Sequence, residues 1–144
     1  MLPPVREQAN REIVFERGPD RRRIMRTDIS GEEVVEVVEC DAEECIQNCF
    51  ESYRGCLEMT AYCLEQGGDF VASELVSSLQ TCARMCQTTV EMLVSDSELY
   101  AAACEICAAA CEQCADACDT VNDEQLAALA VVCRQCAETC REIV

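Results

Sequence analysis

The chain has no histidine, no lysine and no tryptophan in its 144 residues. Without histidine it lacks the side chain that most often carries protons in catalysis, and its Asp and Glu residues fall on helix faces that read as solvated surface, so no acid–base enzyme is expected. Arginine supplies all eleven positive charges against 28 acids, for a net charge of −17, which speaks against nucleic-acid binding because phosphate recognition needs a positive field. No apolar run approaches the roughly 18–20 residues of a membrane span. Three tyrosines and three phenylalanines are the only aromatic side chains, too few to fill the core of a domain this long.

The missing core material is replaced by sulfur. Fifteen cysteines are present, and five of them, Cys104, Cys107, Cys111, Cys114 and Cys118, lie in the run CEICAAACEQCADAC at spacings of three, four, three and four. At about 100° per residue those steps return to one stripe of a helix, so the segment presents five sulfurs in file.

The three prolines, Pro3, Pro4 and Pro19, all fall within residues 1–30, where seven arginines against five acids give +2; residues 31–144 hold four arginines against 23 acids, for −19. Residues 1–30 therefore read as a basic arm, flexible or docked on an acidic neighbouring subunit, with either a hairpin through Ile13–Phe15 and Ile24–Met25 or a short helix inside it. No hydrophobic segment follows Arg21-Arg22-Arg23, so no secretion signal is read and a cytoplasmic protein is expected. In that reducing compartment a cysteine-rich chain points to metal or redox chemistry before disulfides.

From residue 31 onward the punctuation predicts an all-α fold. Ser30 with Glu33, Ser95 with Glu98, and Asn122 with Gln125 fit capping boxes, and Gly67-Gly68-Asp69 supplies a stop and restart. Helices over about 31–66, 69–94, 96–120 and 123–143, joined by short turns, make an antiparallel up-down-up-down four-helix bundle. The pieces CEQCADAC at 111–118 and CRQCAETC at 133–140 form a weak internal repeat.

Helical phase places Val34, Val38, Cys45, Cys49, Ser52, Cys56, Met59 and Cys63 on one face of the first helix. Val71, Leu75, Ser78, Cys82, Cys86 and Leu93 share a face of the second, and Leu129, Val132, Cys133, Cys136, Cys140 and Ile143 a face of the fourth. Cys40 falls outside its stripe and is the weakest member of the set. At about 1.5 Å of rise per residue, Cys49, Cys86, Cys104 and Cys140 should share one level. Cys56, Cys82, Cys107, Cys111, Cys133 and Cys136 should lie mid-bundle, and Cys63, Cys114 and Cys118 toward the Gly67-Gly68 turn. Leu75, Leu126, Leu129 and Val71 would close that end, and Val34, Val90, Leu93 and Tyr100 the other.

A tube of thiolates selects soft metal ions. Structural zinc wants four ligands around one ion, usually from loops, and iron–sulfur proteins use a C-x2-C-x2-C-x3-C-P run, whereas this chain reads C-x2-C-x3-C-x2-C-x3-C on a helix. Cu(I) accepts two or three sulfurs and a thiolate bridges two ions, so the ladder suits on the order of fifteen Cu(I) ions. An iron–sulfur electron carrier and a zinc or thiol buffer are the alternatives.

With its C-x2-C-x3-C stripes turned inward on a four-helix frame, the segment of about 40–140 resembles the cytosolic branch of the bacterial copper storage proteins. The resemblance implies high-capacity Cu(I) storage, tetrameric assembly of bundles and passage of metal at one bundle end. Members commonly place histidine near that mouth; here Met59, Met85 and Met92 are candidate soft substitutes, and packing into core gaps is the plainer role for each. The acidic surface also suits contact with a copper-delivering chaperone.

Overall fold

The computed structural model describes residues 24–27, 33–36, 42–72 and 74–144, the first two segments as backbone only. Two strands, β1 (Ile24–Thr27) and β2 (Glu33–Glu36), pair antiparallel with Ile24 opposite Glu36 and Thr27 opposite Glu33. Five helices follow: α1 (Ala42–Gln66), the single turn α2 (Asp69–Ala72), α3 (Leu75–Val94), α4 (Tyr100–Asp119) and α5 (Glu124–Ile143). α1, α3, α4 and α5 form the expected four-helix bundle, each packed on the next and α5 closing back on α1.

The N-terminal part differs from the expectation. Instead of opening a helix at Ser30, residues 33–36 pair as a strand, because the adjacent β-branched Val34 and Val35 suit a pleated ladder better than a first helical turn. Ile24 and Met25 do join a hairpin, but with the residues after them. Ile13–Phe15, Val38 and Cys40, and most of the proposed arm, lie outside the described residues.

Several helix boundaries have a local cause. Glu43 and Glu44 complement the positive end of α1, and Gly67 and Gly68, at φ +68° and +57°, end it in the left-handed region. α3 ends in a Schellman turn, with Ser97 N–H donating to the Met92 carbonyl and Asp96 N–H to that of Leu93, while Asp96 sits at φ +58°. Ser95 therefore closes α3, its hydroxyl donating to the Glu91 carbonyl at 2.7 Å, rather than capping the next helix, and α4 begins at Tyr100 instead of 96. The cap of α5 is Asp123, one residue beyond the expected Asn122. Its Oδ1 accepts from Gln125 and Leu126 N–H at 2.8 and 3.0 Å, leaving Oδ2 for the Tyr62 hydroxyl at 2.7 Å.

Hydrophobic layers close both ends of the core. At the Gly67-Gly68 end these are Leu75, Leu79, Leu126 and Leu129; at the other, Ala42, Val90, Leu93, Tyr100 and Ile143. Leu79 is fully buried and Ser78, which the phase reading turned inward, is half-buried, because the helix rotates by part of a turn to bury the apolar side chain of the two; Val71 is 41% exposed on the one-turn α2 instead of plugging the end. Gly55, in the middle of α1, lets α5 approach: a Cβ there would meet Leu129 Cδ1 at 2.6 Å.

The Tyr62–Asp123 bond ties α1 to the start of α5, and Phe70 packs edge-on against the Tyr62 ring at 5.8 Å between centroids. The Tyr62 hydroxyl is the main reason the Asp123 carboxyl is held below its usual range, with the Leu126 and Gln125 amides assisting. A carboxyl held down in the fold contributes stability that is present above its unfolded value, about 3.9, and is lost as pH falls through the lower folded value. Tyr62→Phe should therefore lower the thermal midpoint at neutral pH and flatten its decline on acidification. Melting curves of both proteins from neutral pH down to about pH 2 check this, and parallel curves would contradict it.

Candidate metal centre

Fourteen cysteines of the described residues are free and buried: Cys45, Cys49, Cys56 and Cys63 on α1; Cys82 and Cys86 on α3; Cys104, Cys107, Cys111, Cys114 and Cys118 on α4; and Cys133, Cys136 and Cys140 on α5. All have no accessible surface, as the 3–4 spacing on four inward stripes requires. Buried alanines beside the stripes, Ala108 and Ala115 on α4 with Ala130 and Ala137 on α5, allow these helices to approach closely.

The sulfurs meet across helices. Cys140 lies 3.7 Å from Cys45 and 3.9 Å from Cys49; Cys136 is 3.6 Å from Cys49; and Cys111 is 3.6 Å from Cys82 and 3.8 Å from Cys86. Cys114 is 3.9 Å from both Cys56 and Cys133. Four sets have all their Sγ atoms within 4.8 Å of one another: Cys45, Cys104 and Cys140; Cys49, Cys107, Cys136 and Cys140; Cys86, Cys107, Cys111 and Cys136; and Cys56, Cys82, Cys114 and Cys133.

The levels on α4 differ in part from those expected, although Cys104 still meets Cys140, and Cys107 and Cys111 still meet Cys136. Cys104 joins Cys45, Cys107 joins Cys49, and Cys114 moves to mid-bundle with Cys56, Cys82 and Cys133 instead of lying near Cys63. The turn before α4 explains this, since residues 95–99 form turns and do not add helical rise. Cys63 and Cys118 belong to none of the four sets. Met59, Met85 and Met92 are half-buried and pack against the core, in keeping with the gap-filling role.

Two residues near the column were not singled out from sequence. Asn48 donates to the Thr139 hydroxyl at 3.3 Å, tying α1 to α5 beside the sulfurs; a part-buried amide on a cysteine-bearing helix gave little signal. Asp123 was passed over for Asn122, although both match the cap position by residue type.

Crowding makes the thiols unequal. S–H donors, led by Cys111, hold Cys82 and Cys107 well below the ordinary thiol range. Their neighbours move the other way, with Cys111 and Cys136 pushed up chiefly by Cys107, and Cys63 pushed up chiefly by burial. Thiolates packed this closely need a cation among them, and one thiol shared by two sets favours ions that accept bridging ligands. Separate zinc tetrahedra could not each claim Cys107, Cys136 and Cys140 twice. An iron–sulfide cluster needs its cysteines spread around it, and sulfurs 3.6–4.0 Å apart leave no room for one.

The sequence profile described as Csp, copper storage protein, matches residues 38–144. The chain belongs to the copper storage protein family. Its fold is similar to that of a Cu(I)-bound copper storage protein, BsCsp3, at 29% identity and a TM-score of 0.68, over 71% of this chain and 96% of that one. It is also similar to a protein from Nitrosospira multiformis, at 35% identity and a TM-score of 0.67 over 71% and 93% of the two chains. Apo copper storage protein 3 from Bacillus subtilis matches at 29% identity and 0.66 over 71% and 97%. No curated protein matches the chain. This copper storage protein thus has the four-helix frame of its family and buried cysteine clusters able to bind Cu(I), and neither the iron–sulfur nor the zinc alternative gains support. No helix among the described residues is long and apolar enough to cross a membrane.

Proposed function

We propose that the bundle stores Cu(I) as many ions per chain, with the fourteen buried cysteines as ligands and Cys40 as a fifteenth, in a storage role without catalysis. The sharing of Cys107, Cys136 and Cys140 between sets carries this reading, because a thiolate that faces two sites at once is a bridging ligand, and bridging lets the number of ions approach the number of sulfurs. Residues 1–30 serve as a basic arm to the bundle, and the protein works in the cytoplasm as a homotetramer; the charge of +2 on residues 1–30 beside −19 on the rest supports the arm, and the resemblance to the cytosolic copper storage proteins supports the compartment and the assembly.

Anaerobic titration with Cu(I) against a competing Cu(I) chelator tests the reading. On the order of fifteen equivalents should bind per chain, with ultraviolet but no visible absorbance, and light scattering on the same sample should return four chains. Saturation at one to four equivalents would overturn the storage reading, and a mass of one chain the tetramer.

A further inference from the structure

The thiol sets are not equally connected. The three toward the Tyr100 end share Cys107, Cys136 and Cys140 and so form one network of eight thiols, whereas Cys56, Cys82, Cys114 and Cys133 share no member with it. Ser52 lies between the two. It occupies the α1 stripe Cys45, Cys49, Ser52, Cys56 at the position where the rhythm calls for sulfur, and its side chain is fully buried.

The Ser52 hydroxyl faces sulfur on both sides. Its Oγ is 3.5 Å from Cys133 and 3.6 Å from Cys82 in the smaller set, and 3.9 Å from Cys111 in the larger. A cysteine here would bring a bridging thiolate within reach of both sets and join them. A hydroxyl does not ionise near neutral pH and is a hard, weak ligand for Cu(I), so it interrupts the chain of bridges. The link that remains passes through Cys82 and Cys111, 3.6 Å apart.

We propose that Ser52 partitions the column into two copper compartments that fill as separate units, the eight-thiol network on one side and the Cys56, Cys82, Cys114, Cys133 set on the other. This rests on the copper-storage reading. The first ion in a bridged set strips protons from shared thiols and fixes their rotamers, which favours the next ion in that set. Sets that share no thiolate, and meet only through the single Cys82–Cys111 contact, pass little of this advantage on.

The full-length protein, Ser52→Cys and Ser52→Ala are to be loaded anaerobically with Cu(I) in sub-saturating steps, then analysed by native mass spectrometry and by brief alkylation with peptide mapping. For the unaltered protein, a part-filled species should accumulate in which the alkylated cysteines come from one compartment. Ser52→Cys should abolish that species while changing total capacity by no more than about one ion, and Ser52→Ala, which adds no sulfur, should retain it. Circular dichroism establishes that each variant keeps its helices. Alkylation spread evenly over both compartments, persistence of the part-filled species in Ser52→Cys, or its loss in Ser52→Ala would each overturn the partition. Such results at high capacity leave copper storage standing, whereas a total of four ions or fewer removes the storage reading and the partition together.

Discussion

Loading with Cu(I) is expected to raise the thermal midpoint of the bundle by at least about 20 °C, measured by circular dichroism without oxygen. Metal-free, the middle of the bundle is held by cysteine and alanine, small side chains that bury little apolar area, and by S–H contacts of 3.6–4.0 Å in which the donor is weak. Among the described residues, full hydrophobic layers lie at the two ends. An ion that binds the folded chain and not the unfolded one adds about 4 kcal/mol at a free concentration a thousand times its dissociation constant. Three such ions exceed about 10 kcal/mol, and in a bundle of this size each kcal/mol moves the midpoint by about 4–8 °C. Binding of copper by unfolded thiols takes back part of that gain, which is why the expected shift is set well below the product. A strong Cu(I) chelator should return the midpoint to its metal-free value, and a loaded sample melting within about 5 °C of the metal-free one would contradict crosslinking by the metal.

Sequence alone went a long way here because cysteine was used as a core residue. The 3–4 rhythm of Cys104 to Cys118 fixes a helix, and the same rhythm on α1, α3 and α5 fixes which face turns inward, so burial of the thiols on those helices and the fold class were readable from spacing. Height along the bundle was not, since it depends on how many residues a turn consumes. Asp96 enters the left-handed region without being glycine, and the resulting Schellman turn moved the start of α4 and with it some partners of its thiols, Cys104 gaining Cys45, Cys107 gaining Cys49 and Cys114 joining Cys56, Cys82 and Cys133. The strand at Glu33–Glu36 was missed because a capping pattern at Ser30 competed with β-branched valines, and pairing with Ile24–Thr27 is a nonlocal contact that a helical wheel cannot register. Ser52 was visible in the stripe as a serine among cysteines. Its meaning lies in the packing of four helices, which sets its oxygen against Cys82, Cys111 and Cys133 together, and no single-helix pattern carries that.

Replacing Cys107 and Cys136 together by serine should cost far more copper than replacing Cys63 and Cys118. Cys107 and Cys136 both stand in the same two sets, so their loss leaves only Cys49 with Cys140 in one and Cys86 with Cys111 in the other, while Cys63 and Cys118 stand in none. If ions are held by bridging thiolates, the central pair should remove about four ions or more and the outer pair about two or fewer. Serine is close to cysteine in size, so the packing survives, although each buried hydroxyl adds a cost of about 1–3 kcal/mol where it finds no partner. Helicity by circular dichroism separates that cost from a loss of ligands. Metal analysis after anaerobic loading and desalting gives the count. Equal losses from the two pairs would mean that each thiol contributes alone, and the column would then be a row of independent sites rather than a connected store.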